Sequence, residues 1–139
     1  FLADDEFRRK VTHSSAIGDL DMNDYDVVFL AGGWGAAFDF GFSVPLADQI
    51  TAANAAGKVI GGVCHGPLGL INARGTDGAP LVAGRAEFES ETRFRDPLAN
   101  HWVVDGNLVT GQNQNAGPMV AREILELLDR MGSDPIRTS

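Results

Sequence analysis

Val59-Ile60-Gly61-Gly62-Val63-Cys64-His65-Gly66-Pro67 is the stretch whose reading decides the fold. Val59, Ile60 and Val63 make a β-branched run of the kind that fills a buried strand, and Pro67 with Leu68, Leu70 and Ile71 signals a helix opening directly after it. Cys64 falls on the bend. Gly62-Val63-Cys64-His65-Gly66 has the form G-x-nucleophile-x-G, in which small residues on either side let a strand turn sharply into a helix while the central side chain stays accessible. A lone cysteine in a folded domain is most often a small buried hydrophobe. A packed structural cysteine, however, has no need of flanking glycines, a helix-opening proline and an adjacent histidine. The residues therefore read as a nucleophile elbow, with Cys64 the nucleophile and His65 beside it. A helix N-terminus and its free N–H groups favour the reactive thiolate.

Working upstream, Asp26 to Ala31 is a continuous apolar run of strand length, expected as a central strand covered on both faces. It ends at Gly32-Gly33-Trp34-Gly35. As a phosphate cradle this cluster fails, because from Gly33 the pattern runs G-x-G-x-x-F and no Lys-Ser/Thr pair follows. Its better use is to present the backbone N–H of Gly33 at the carboxyl end of a parallel strand, where open α/β sheets place their sites, with Trp34 as a wall of the pocket. Leu46 to Ala56 reads as a helix with Pro45 in its first turn and Leu46, Ile50 and Ala53 on one face. Strand, helix and strand make a βαβ unit whose right-handed crossover brings Gly33 and Cys64 to the same sheet edge. Further upstream, Phe1 to Lys10 reads as helix and Thr12 to Asn23 as a connecting loop.

Downstream, the helix after the elbow is expected to run through Leu68 to Ala73 and end in the turn Gly75-Thr76-Asp77-Gly78. Glu87, Glu89, Glu91, Arg93 and Arg95 alternate with Phe88 and Phe94 as in a charged edge strand. His101 to Thr110 reads as a hairpin turning at Asp105-Gly106. Pro118 to Met131 is the closing helix, with Val120, Ile124, Leu127, Leu128 and Met131 inward, and Ser133 to Ser139 reads as a frayed tail.

The 139 residues are expected to form one domain, 1–139, with enough chain for a core without metal or disulfide. A single cysteine cannot make an internal disulfide, which points to a reducing compartment such as the cytoplasm. No apolar run has the length of a membrane span. With 19 acidic against 11 basic residues the formal charge is -8, which repels nucleic acid and anionic membranes and favours small-molecule or protein partners. His13, His65, His101 and Cys64 lack metal-ligand spacing, so neither a metal nor another cofactor is expected.

Four blocks resemble a known family: Asp24-Tyr25-Asp26-Val27-Val28-Phe29-Leu30-Ala31-Gly32-Gly33-Trp34-Gly35, Ala56-Gly57-Lys58-Val59, Val63-Cys64-His65-Gly66-Pro67 and Val104-Asp105-Gly106-Asn107-Leu108-Val109-Thr110-Gly111-Gln112-Asn113. In this order they are similar to the ThiJ/PfpI superfamily, also called class I glutamine amidotransferase-like, and most to its branch of glutathione-independent glyoxalases and heat-shock chaperones. The resemblance implies a flavodoxin-like α/β three-layer sandwich with a mainly parallel sheet, usually dimeric. It also implies conversion of methylglyoxal to lactate without glutathione, with protein deglycation or chaperone activity claimed for members. Carried over, Cys64 is the nucleophile, His65 the adjacent histidine, and the N–H groups of Gly33 and His65 the oxyanion pocket. The usual glycine-glycine-histidine-glycine is here Gly32-Gly33-Trp34-Gly35. The family's early strands, one bearing a catalytic glutamate, have no counterpart in this sequence, and fewer residues lie between Gly84 and His101 than in relatives. The base is then His65 or a nearby carboxylate, for which Asp39 is the candidate, since relatives bring an acid from that region across a subunit contact. Two other functions compete: a holdase chaperone or redox-stress sensor, and a glutamine amidotransferase, whose late His-x-Glu pair is not matched by His101-Trp102-Val103.

Overall fold

Val59 and Ile60 are both buried, yet they serve two different cores. The structure, a computed structural model, describes residues 4–82 and 99–132. Its strands β1 (Val27–Leu30), β2 (Val59–Val63), β3 (Trp102–Asp105) and β4 (Leu108–Gly111) form one sheet in the order β1-β2-β4-β3. β1, β2 and β4 run parallel, and β3 lies antiparallel beside β4. Successive side chains on a strand point to opposite faces. Ile60 thus joins Leu30, Leu46, Ile50, Ala53 and Leu108 on one face, while Val59 joins Val109, Val120 and Ile124 on the other.

The helices are α1 (Asp5–Thr12), α2 (Trp34–Asp39), α3 (Val44–Ala55) and α4 (Gly117–Gly132). α3 begins at Ser43, whose hydroxyl accepts from the Leu46 N–H at 3.3 Å, with a proline in the first turn. It buries Leu46, Ile50 and Ala53, the expected face. α4 supplies Val120 and Ile124 to the opposite core, with Leu127, Leu128 and Met131 packed around them. The Trp102 indole N–H donates to Glu123 at 3.3 Å and ties the hairpin to α4. Helix, mostly parallel sheet and helix make the three-layer α/β arrangement expected from the sequence.

Four expectations are corrected. First, the Asp26–Ala31 run is not a doubly covered central strand. Among the described residues β1 pairs on one side only, and Phe29 is 46% exposed on one face while Leu30 is buried on the other. Second, the chain after the elbow forms a 3₁₀ turn, Gly66–Leu70, instead of an α-helix. Its bonds run Leu68 N–H to His65 O and Ile71 N–H to Leu68 O, three residues apart. Gly66 and Gly69 disfavour a longer α-helical run, and Arg74 instead bridges to Pro80 around the expected turn. Third, Asp105 pairs with Leu108, so the hairpin loop is Gly106-Asn107, one residue later than expected. Gly106 takes φ 58, the first loop position at which type II′ turns place glycine. Asn107 then donates to Lys58 O at 2.7 Å and locks this register. Fourth, the 12–23 connection holds two 3₁₀ turns, Ile17–Asp19 and Met22–Asp24, which bury Met22 against α3. The expected edge strand around 87–95, the 133–139 tail and the first three residues of the expected opening helix lie outside the described residues.

A methyl group on Gly66 would collide with the carbonyl oxygen of Leu30. Gly66→Ala should therefore lower the unfolding free energy by ~1–3 kcal/mol, whereas Gly35→Ala, with open space around the added carbon, should raise it by up to ~1 kcal/mol. Urea denaturation of both variants checks this, and equal effects would contradict it.

Candidate functional site

Parallel pairing sets the geometry of the site. Leu30 is opposite Gly62, and Val63 is opposite Gly111, so β1, β2 and β4 end at one edge of the sheet. Cys64 is the first residue beyond β2 and takes φ 58. It is the only described non-glycine residue at positive φ, a conformation that costs an L-residue about 1–2 kcal/mol. Two contacts hold it there. Its N–H donates to Gly111 O at 3.0 Å, and the backbone of Gly66 lies directly on Leu30. A Cβ at Gly32 would meet the Cβ of Cys64 and the carbonyl of Val63, each at 2.8 Å. Gly32 and Gly66 are thus the glycines the elbow requires. Gly62, part of the expected motif, is only snug against Pro67 at 3.4 Å.

Gly33, with φ 107 and ψ 170, caps α2, a helix not foreseen from the glycine cluster. Its carbonyl accepts from Ala37 N–H at 3.3 Å and faces His65 Nδ1 at 3.2 Å. A carbonyl oxygen only accepts, so the imidazole proton sits on Nδ1 and the lone pair of the neutral ring on Nε2. Trp34, the first residue of α2, lays its ring 5.5 Å from that of His65. Phe38, one turn on, lies 6.4 Å from Trp34. Cys64 itself is free and half-buried.

Of the site residues expected from sequence, Gly33, Trp34, Cys64 and His65 come together. Asp39 does not join them: it is exposed at the carboxyl end of α2, ~9 Å along the helix from Gly33 at 1.5 Å per residue. The dipole of a following α-helix is replaced by that of a single 3₁₀ turn, which aligns fewer peptide units. Three participants were missed: Gly32, the Gly33 carbonyl and Phe38. Only Gly32 had a sequence signal, the Gly-Gly pair at a strand end. His101 precedes β3 and its carbonyl accepts from Gln112 N–H at 2.9 Å, which places it on the same sheet edge two strands from Cys64, roughly 10 Å at the usual strand spacing. Among the described residues no His, Cys, Asp or Glu group is arranged to hold a metal ion. No described helix is long and apolar enough to cross a membrane.

A half-buried cysteine on a strained bend at the carboxyl edge of a parallel sheet, with a histidine next to it, defines a protein of the α/β class with a cysteine elbow. The DJ-1/PfpI family profile matches residues 5–127, and the chain belongs to that family. It is 28% identical over 153 aligned positions to "Glyoxalase 3" of Candida albicans, an alignment covering 86% of this chain and 65% of that protein. The chain thus spans just under two thirds of that relative's length. Among solved structures, glyoxalase III from Candida albicans superposes with a TM-score of 0.66 at 26% identity, covering 80% of this chain and 60% of that one. The Rapid Encystment Protein of 24 kDa from Francisella tularensis gives 0.80 at 23% identity, covering 92% and 69%, a likeness of fold alone.

If the elbow presents Cys64 as described, the native protein takes up one iodoacetamide per chain, at Cys64, without denaturant. Mass spectrometry of the intact and digested protein reads this out. A thiol alkylated only after unfolding would contradict the geometry.

Proposed function

We propose that the chain is a glutathione-independent, cofactor-free glyoxalase of the cysteine type, which converts methylglyoxal or a related 2-oxoaldehyde to the 2-hydroxy acid and works as a homodimer in the reducing cytoplasm. The observation that carries this reading is Cys64 at φ 58 with its neighbour His65 held on the Gly33 carbonyl. The glyoxalase names of its relatives agree with it.

In the first step the Cys64 thiolate adds to the aldehyde carbon, forming the C–S bond and an alkoxide. Backbone N–H groups of Gly33 and His65 are the proposed donors to that oxygen, which is protonated to give a thiohemiacetal. A base next removes the hydrogen from the former aldehyde carbon, producing an enediol, and returns a proton to the neighbouring carbon. This leaves the 2-hydroxyacyl thioester of Cys64. Water attacks the thioester, the C–S bond breaks, and the 2-hydroxy acid and the thiol are released. Methylglyoxal plus one water gives lactic acid, so no electron acceptor is needed. His65 Nε2 is the proposed base, because the Gly33 carbonyl holds the proton on the other nitrogen. Asp39, at the far end of α2, is left without a part in this scheme. Trp34 forms the wall beside His65.

Lactate production from methylglyoxal without glutathione tests the assignment. Cys64→Ala should abolish it, His65→Gln should lower kcat by ~10²–10⁴-fold, and Asp39→Asn should have little effect. Loss of activity in Asp39→Asn with retention in His65→Gln would reverse the assignment of the base. Suppression of client aggregation by a chain that forms no lactate would favour the holdase reading.

A further inference from the structure

Trp34 and Phe38 are 76% and 77% exposed, although aromatic side chains of this size are ordinarily among the more buried groups of a domain. They stand four residues apart on α2, the spacing that sets side chains side by side on one helix face, and their rings lie 6.4 Å apart. One end of the pair meets His65, at 5.5 Å from Trp34. The rings therefore form a continuous apolar ledge leading outward from the residue adjacent to the nucleophile. Charge around the ledge points the same way. From Ala31 to Ala73, which holds the elbow, α2 and α3, Lys58 is the only Lys or Arg. Its ammonium is at the opposite edge of the sheet, where it donates to Asn23 O at 3.2 Å. These elements offer no cation to a carboxylate or phosphate on a substrate.

We propose that Trp34 and Phe38 determine specificity, selecting 2-oxoaldehydes with an aromatic or bulky apolar substituent over methylglyoxal. This rests on the glyoxalase reading above. A substituent projecting from the carbon next to the thiohemiacetal lies over the Trp34 face, removing exposed aromatic surface from water on both partners. The methyl group of methylglyoxal covers little of it. An aryl ring gains area burial together with an offset aromatic contact, enough for about tenfold discrimination. The ring contact with His65 also gives Trp34 a fixed platform, so the ledge is preorganised.

The test compares kcat/KM for phenylglyoxal and methylglyoxal in the wild type, Trp34→Ala and Phe38→Ala. Because the two aldehydes differ in intrinsic reactivity, the informative quantity is the change in their ratio on mutation. The phenylglyoxal preference should fall about tenfold in Trp34→Ala and less in Phe38→Ala, chiefly through KM. A ratio unchanged by Trp34→Ala overturns the proposal. A second arm needs no turnover: alkylation of Cys64 by iodoacetanilide and by iodoacetamide, each rate normalised to that of free cysteine. The anilide should be favoured in the wild type and lose that advantage in Trp34→Ala. Failure of both aldehydes to turn over, with the anilide advantage intact, would sink the oxoaldehyde substrate while the apolar ledge stands. Equal normalised alkylation rates in the wild type would sink the ledge itself.

Discussion

The site depends on how closely the chain beyond β2 is pressed against the chain at the end of β1. Gly66 rests on the carbonyl of Leu30, and Gly32 rests on Cys64 and Val63, with room for no side-chain carbon at either glycine. Between those two contacts the backbone has one way to pass, and Cys64 takes positive φ as a result. Strain of this kind persists only where the surroundings over-determine it. Here the determinants are two glycine contacts and the hydrogen bond from Cys64 N–H to Gly111. The Cys64 thiol takes no part in these contacts.

The two cores keep that arrangement rigid. β2 is gripped between α3 and α4, with Val59 and Ile60 buried on opposite sides. Fully burying a side chain of this size contributes about 1.5–3 kcal/mol; sliding β2 by one residue would exchange its faces and set each side chain against the core fitted to the other. A fixed β2 fixes where Cys64 emerges. The α2 segment is different: within it only Ala36 is buried, and its contact with the site runs through the Gly33 carbonyl and the Trp34 ring. In this division of labour the buried strands fix the position of Cys64, while an exposed short helix meets His65 through the Gly33 carbonyl and the Trp34 ring.

Much of this was legible in the residues themselves. The strand before the bend, the α3 face of Leu46, Ile50 and Ala53, and the α4 stripe of Val120 and Ile124 follow from spacing and form where expected, and the bend falls at Cys64. What was not legible has physical reasons. Asp105-Gly106 and Gly106-Asn107 are both acceptable hairpin turns, and the choice is made by Asn107 reaching Lys58 and Asn54, 49 and 53 residues away in sequence. Gly33-Trp34-Gly35 reads as a turn because glycines weaken helices, yet α2 forms there, with Gly33 at its cap. The Gly33 carbonyl contact with His65 spans 32 residues and involves a backbone atom that no side-chain pattern announces. Gly62 and Gly66 are equivalent in the motif, and only packing against β1 makes one of them indispensable.

The proposed chemistry requires that Cys64 bond covalently to the aldehyde carbon on the way to the 2-hydroxy acid. The most direct measurement is ¹³C NMR of methylglyoxal labelled at the aldehyde carbon, mixed with stoichiometric protein at low temperature. The account predicts a transient resonance from a tetrahedral carbon bonded to sulfur, decaying into labelled lactate and absent from Cys64→Ser. Lactate appearing at the same rate in wild type and Cys64→Ser, with no sulfur-bonded carbon in either, would contradict it.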